Sequence, residues 1–189
     1  MIKVYLAGPI TGSTPETAIA WRQKAVDYLS PKGFIVTSPL RIESNHLPSG
    51  ESIPHDMFGT KHPLIEMRPR AVFARDMFDV LHADIIFANM TGCGDAGSHG
   101  STFEMGVAWA KQKALILIAE QGNLYRKHPI MGQAQGVIFA KQEEALDYVA
   151  RNWEPYVAPS QRTHYLLATA QESQAAPDSV EVIPWTTRK

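Results

Sequence analysis

The run Asp84-Ile-Ile-Phe-Ala88 is short and apolar, and it ends in a polar, glycine-rich loop that leads to Gly100-Ser-Thr-Phe-Glu-Met-Gly106. A strand, a loop and the start of a helix are the reading this pattern supports, and in an open α/β sheet small ligands bind at such a junction. Glu104 is the single carboxylate of the second stretch, well placed for chemistry. The plain alternative is an acid that favours the positive end of a helix dipole.

Outward from this junction, apolar runs alternate with helix-like stretches. Ile2 to Ala7 reads as a buried strand, followed by the turn Gly8-Pro9-Ile10-Thr11-Gly12. Ser13 or Thr14 can cap a helix that begins near Pro15, and Ala18, Trp21, Ala25, Val26 and Leu29 give it one apolar face before it ends near Pro31-Lys-Gly33. Gly33 to Thr37 is a second strand. A polar, proline-bearing stretch from Ser38 to about Pro63 then breaks the rhythm, and loops this long are uncommon unless functional. Its His46, His55 and His62 read as solvent-facing or capping; the functional alternative is a lid over a ligand.

A helix around Arg68 to His82 leads into the strand at Asp84 to Ala88, and Ser101 to Lys111 is again helical. Ala114 to Ala119 is a fourth strand, Gly136 to Phe139 a short fifth, and Gln142 to Asn152 a final amphipathic helix. The expectation is one α/β domain over 1–153, a doubly wound, mostly parallel five-stranded sheet. Residues 154–189 lack periodicity and read as an extended or partly disordered arm, whose Tyr165 and Trp185 could pack on a neighbouring subunit.

Composition excludes several classes of function. Eighteen basic residues face 19 acidic ones in 189, so no electrostatic footprint for nucleic acid or an anionic membrane surface exists. Cys93 is the only cysteine, which excludes an internal disulfide and a cysteine zinc site, and the seven histidines form no HExxH-like pairing, so no metal is expected. The chain opens directly on a strand pattern rather than a charged leader, and no long uncharged apolar run follows. A cytoplasmic location is the default expectation.

Three pieces converge on one family. Tyr5-Leu-Ala-Gly-Pro9, then Arg75-Asp76 with Asp84-Ile-Ile-Phe-Ala-Asn89, then Gly100-Ser-Thr-Phe-Glu104-Met-Gly106 resemble in order and spacing the nucleoside 2-deoxyribosyltransferase family. The resemblance runs from about Met1 to Trp153 and implies a flavodoxin-like fold, a homo-oligomer, and nucleoside or nucleotide and nucleobase as ligands. It also implies a retaining glycosyl transfer in which a glutamate attacks the anomeric carbon, the base leaves, and a second base or water takes the sugar.

Glu104 matches the nucleophile, Tyr5 the tyrosine that orients it, and Asp76 the acid that contacts the base and protonates the departing nitrogen. A core tyrosine is the plain alternative for Tyr5, and a solvated acidic face, with Asp79 three residues on, for Asp76. Asp84 reads as a cap or anchor. Gly8 suits close backbone approach to a ligand, or only the turn with Pro9, and Gly100 belongs to the same substrate-binding group. Since nucleophile, orienting hydroxyl and proton donor are all side chains, no cofactor is expected.

Two departures from the family pattern stand out. Many of these transferases carry an aspartate six residues before the glutamate, where this chain has Ser98. The related 2'-deoxynucleoside 5'-monophosphate N-hydrolases have a serine there that binds the substrate phosphate, and a serine beside glycines at a helix start is a reasonable anion site, or equally a cap. In the His128 to Met131 segment the family often brings an asparagine or serine from a neighbouring subunit, where this chain has Met131. Three readings follow: transfer of 2-deoxyribose between bases, hydrolysis of a nucleotide N-glycosidic bond, and a nonenzymatic nucleotide-binding module on the same fold.

Overall fold

In the computed structural model of the chain, residues 1–47, 50–54, 57–94, 97–134, 136–153 and 181–182 are described. Five parallel strands form the sheet: β1 (Lys3–Ala7), β2 (Ile35–Thr37), β3 (Ile85–Asn89), β4 (Ala114–Ile118) and β5 (Val137–Phe139). A two-residue piece, β6 (Glu181–Val182), pairs antiparallel with β5, giving the order β2-β1-β3-β4-β5-β6. The rest of the 154–189 arm, with Tyr165 and Trp185, lies outside the described residues.

The helices are α1 (Pro15–Leu29), α2 (Pro69–His82), α3 (His99–Ala110), the single-turn α4 (Leu124–Lys127) and α5 (Met131–Ala134), and α6 (Gln142–Asn152). Thr14 caps α1, its hydroxyl accepting from the Thr17 N–H, and Pro15 stands at the first helical position, where its missing N–H is harmless. The two short helices between β4 and β5 were not expected, because one turn carries no periodicity to read.

Strand alternation sorts the core into two layers. Val4 and Leu6 of β1 with Ile85 and Phe87 of β3 face Ala25 and Leu29 of α1 and Leu146 and Val149 of α6. Tyr5 and Ala7 with Ile86 and Ala88 face the other way, toward Val80 of α2 and Met105 and Ala108 of α3. This parity puts Tyr5 under the two helices that carry Asp76 and Glu104. Chain order reverses between β1 and β3, so their carboxyl ends border the crevice where doubly wound sheets bind ligands.

Asp84 works at the opposite end of the sheet, where its Oδ2 accepts the Lys3 N–H at 2.8 Å; it anchors structure. The described part of the long stretch after β2 is packed: Leu40 and Ile53 bury against Ala18, and Ile53 exchanges backbone hydrogen bonds with Gly12 and Ser13 at 2.9 and 2.8 Å. His46 is exposed, the His62 ring accepts the Leu64 N–H at 3.2 Å, and His55 lies outside the described residues. Among the described residues no helix is long and apolar enough to cross a membrane.

Candidate active site

Tyr5 is fully buried in the third position of β1, and its hydroxyl donates to Glu104 Oε1 at 2.7 Å. Glu104 sits in the second turn of α3, past the dipole-favoured first turn that the plain reading of this acid required. Its carboxyl is pushed up to about 7, first by burial and then by the nearby negative charge of Asp76, against the Tyr5 hydrogen bond and the Arg22 charge. Burial first, then Glu104 and Asp76, hold the Tyr5 phenol well above its ordinary value, so it remains a donor at neutral pH.

Asp76, on α2, completes the cluster. Its side chain is 13% exposed, and Arg75 reaches it at 3.1 Å. Burial raises its carboxyl to about 6 and Glu43 adds to the rise, while Arg75 and Arg41 oppose it. Asp79, the other acid on this helix, is paired with Arg41. Two of the three acidic and hydroxyl groups thus titrate near neutrality, the range in which a side chain can exchange a proton at that pH.

The remaining sequence candidates sit around this cluster with distinct contacts. An added Cβ at Gly8 would meet the Asn89 carbonyl oxygen and the Trp21 ring, each at 2.7 Å, so protein packing alone requires glycine there. At Gly100 the space around a Cβ is open. Ser98 is the N-cap of α3: its hydroxyl accepts the Ser101 N–H at 3.5 Å and donates to Ser101 Oγ at 3.0 Å. Tyr125 braces that cap, since its hydroxyl accepts the Ser98 N–H at 2.7 Å. In the segment before Met131, His128 Nδ1 accepts the Ile130 and Met131 N–H groups at 3.3 and 3.4 Å.

Sequence reasoning missed Arg22 and Glu43. Arg22 is 2% exposed and holds the β1–α1 turn, donating to Gly8 O at 2.8 Å and Ala18 O at 2.6 Å. Its guanidinium lies 4.3 Å over the Trp21 ring. Burial lowers it only to about 10, so it supplies a fixed positive charge beside Tyr5, Glu104 and Asp76. The available signal was its place in the buried stripe Ala18, Arg22, Ala25, Leu29 of α1. Glu43 is 1% exposed and paired with Arg75.

Cys93 offers no competing nucleophile, because burial and then Glu120 push its thiol up to about 11. Among the described residues, no group of three or more His, Cys, Asp or Glu side chains is arranged to hold a metal ion.

Residues 4–149 match the family described as nucleoside 2-deoxyribosyltransferase. Among solved structures, a 2-deoxyribosyltransferase from the psychrotolerant bacterium Bacillus psychrosaccharolyticus shares 23% identity at a TM-score of 0.56, over 82% of this chain and 99% of that one. A 2-desoxiribosyltransferase from Leishmania mexicana shares 14% identity at a TM-score of 0.56, over 80% and 99%. At these identities the likeness concerns the fold. No curated protein matches the chain in sequence.

Proposed function

The chain belongs to the nucleoside 2-deoxyribosyltransferase family, enzymes acting on nucleosides, and from that premise we propose that it moves 2-deoxyribose between nucleobases with retention of configuration. The observation that carries the reading is the 2.7 Å hydrogen bond from Tyr5 to Glu104 at the β1/β3 crevice, beside Asp76. In the first half-reaction a Glu104 oxygen bonds to the anomeric carbon as the N-glycosidic bond breaks. The bonding electrons pass to the base nitrogen, which takes the Asp76 proton. In the second, a nitrogen of the incoming base attacks the same carbon from the vacated face, returns a proton to Asp76 and releases Glu104. Two inversions give net retention.

Burial serves both steps. An anion in a low-dielectric site stabilises the oxocarbenium-like transition state more strongly than one in water, and the Tyr5 hydroxyl keeps one Glu104 oxygen engaged while the other is aimed. Arg22 offsets the charge of Glu104 without competing for the sugar, because its described hydrogen bonds go to backbone carbonyls.

A second reading is hydrolysis of a nucleotide N-glycosidic bond, favoured by Ser98 at the N-terminus of α3, where first-turn N–H groups lack intrahelical acceptors and can meet a phosphate. The two readings share the first half-reaction. Chromatography of products from a 2'-deoxynucleoside, and separately its 5'-monophosphate, each with and without a second base, tests them. A new nucleoside that forms only with the added base supports transfer; free base and sugar phosphate from the monophosphate alone replace it with hydrolysis. A binding module without turnover is set aside, since the family is one of enzymes.

The homo-oligomer implied by the resemblance has a candidate surface in Phe73 of α2 and Phe103 and Trp109 of α3, which are 56%, 53% and 50% exposed. Light scattering of the purified chain tests it: a monomer would remove this part of the reading.

A further inference from the structure

The described part of the stretch after β2 does more than cover the sheet. It delivers two charged side chains onto α2, one turn apart: Arg41 pairs with Asp79, and Glu43 pairs with Arg75. Arg75 is in turn the partner of Asp76, its Nε donating to Oδ1 at 3.1 Å and its Nη2 lying 3.1 Å from the same oxygen. Its Nη2 also donates to the Pro39 carbonyl at 3.1 Å, which fixes the guanidinium between the loop and the helix. One cation therefore serves two carboxylates. Glu43 is 1% exposed and its Oε2 is buried with no hydrogen-bond partner among the described residues.

We propose that Glu43 is a positioning residue for the proton donor: it competes with Asp76 for the one guanidinium they share, and so keeps a proton on Asp76. The inference rests on the reading of Asp76 as the acid that protonates the departing base. One buried and one largely buried carboxylate on a single guanidinium carry net negative charge, and retaining one proton neutralises it. Asp76 is the carboxyl that keeps the proton, because burial and then the Glu43 charge raise it against the pull of Arg75. The other charged or titratable groups near Asp76 are Arg41 from the same loop, Tyr5 of β1, Glu104 of α3 and Arg22 of α1. Without Glu43, Arg75 would belong to Asp76 alone, and an unshared guanidinium favours the ionised carboxylate, which has no proton to give.

The test is the pH profile of kcat/KM on a 2'-deoxynucleoside for the full chain, Glu43→Gln and Glu43→Asp, together with carboxyl 13C titration of Asp76. In Glu43→Gln, the Asp76 carboxyl titration moves down by about one pH unit, and kcat/KM drops up to about tenfold at neutral and alkaline pH while staying near the parent value on the acid side. Glu43→Asp, which keeps the charge, holds both near the parent. An equal loss at every pH in Glu43→Gln, or an equal displacement in Glu43→Asp, overturns the proposal. Should Glu43→Gln not fold, the parent protein decides. Shared inflections in the Asp76 and Glu43 resonances support the coupling, and independent titrations overturn it. Asp76→Asn separates this inference from its premise. If the fall of activity at alkaline pH survives in that variant, the proton-donor role of Asp76 fails, while the carboxyl titration of the parent and of Glu43→Gln still reads the Glu43–Asp76 link.

Discussion

The Tyr5 hydroxyl meets Glu104 Oε1 at 2.7 Å across 99 positions of sequence, joining the middle of the interior strand β1 to the second turn of α3. Strand parity aims Tyr5 at this face of the sheet, and the glycine-rich β3–α3 connection brings Glu104 over it. Removing the hydroxyl should therefore act on one carboxylate. Tyr5→Phe is expected to lower kcat about ten- to a hundredfold, in keeping with roughly 1.5–3 kcal/mol for a hydrogen bond to a charged group. It should also cost more at acid and neutral pH than at alkaline pH and so displace the alkaline limb upward, since the lost bond favoured ionised Glu104. Steady-state kinetics across pH checks both effects, and an unmoved limb would show that the bond does not tune the nucleophile.

The proposed chemistry needs Glu104 ionised and Asp76 protonated. Glu104 loses its proton near 7 and Asp76 near 6, so the ionised fraction of Glu104 is still rising through the first value while the protonated fraction of Asp76 already falls above the second. A bell with its maximum between them is expected, with only a minor share of molecules in the working state at any pH. A plateau extending well above pH 8 would exclude Asp76 as the acid.

Glu104 should weaken the fold at neutral pH. Its carboxyl rises from 4.5 to about 7 on folding, so the neutral form is favoured in the folded protein. The stability that goes with the neutral form is fully present below 4.5, falls away between 4.5 and 7, and is gone above the folded value. Glu104→Gln, which never ionises, should abolish turnover yet melt higher than the parent at pH 8, by an amount corresponding to about 3 kcal/mol at most. The two should melt alike at pH 4. Equal melting at both pH values would mean that the carboxylate is better solvated than its surroundings imply.

Gly8→Ala should destabilise the protein by about 1–3 kcal/mol, because the new methyl group meets a backbone oxygen that cannot swing away. A thermal melt checks this. Gly100→Ala, where space is open, should leave stability within about 0.5 kcal/mol or raise it slightly, alanine being the better helix former.

Ser98→Ala removes the cap of α3 and should cost about 1 kcal/mol of stability. If Ser98 also binds phosphate, KM for a 5'-monophosphate rises in this variant while KM for the unphosphorylated nucleoside does not. Parallel changes in both would leave Ser98 a cap only.

Glu104 was legible from its place between small residues after an apolar run and a glycine-rich loop. Tyr5 and Asp76 were singled out by the family resemblance, their local patterns being equally those of a core tyrosine and a solvated acidic face. Arg22 and Glu43 were legible in neither way. Arg22 is a charge within an apolar stripe, and only the fold reveals that the Gly8 and Ala18 carbonyls await it. Glu43 lies in a stretch without periodicity, and its partner stands 32 residues away on α2. Ion pairs across such distances leave no mark in spacing. The same reason hid β6, two residues whose only definition is their pairing with Val137 and Ile138. Asp84 was readable as an anchor, since a short acid at a strand start readily accepts a neighbouring backbone N–H.

The central claim is that Glu104 forms a covalent bond to the sugar. A 2'-fluorinated deoxynucleoside slows breakdown of such an ester by disfavouring the oxocarbenium-like transition state, and mass spectrometry of the quenched, digested protein locates the adduct. The account predicts one fluorosugar increment on the peptide that carries Glu104, absent in Glu104→Gln and discharged when a free base is added. An adduct on another residue, or full turnover of an ordinary nucleoside by Glu104→Gln, would contradict it.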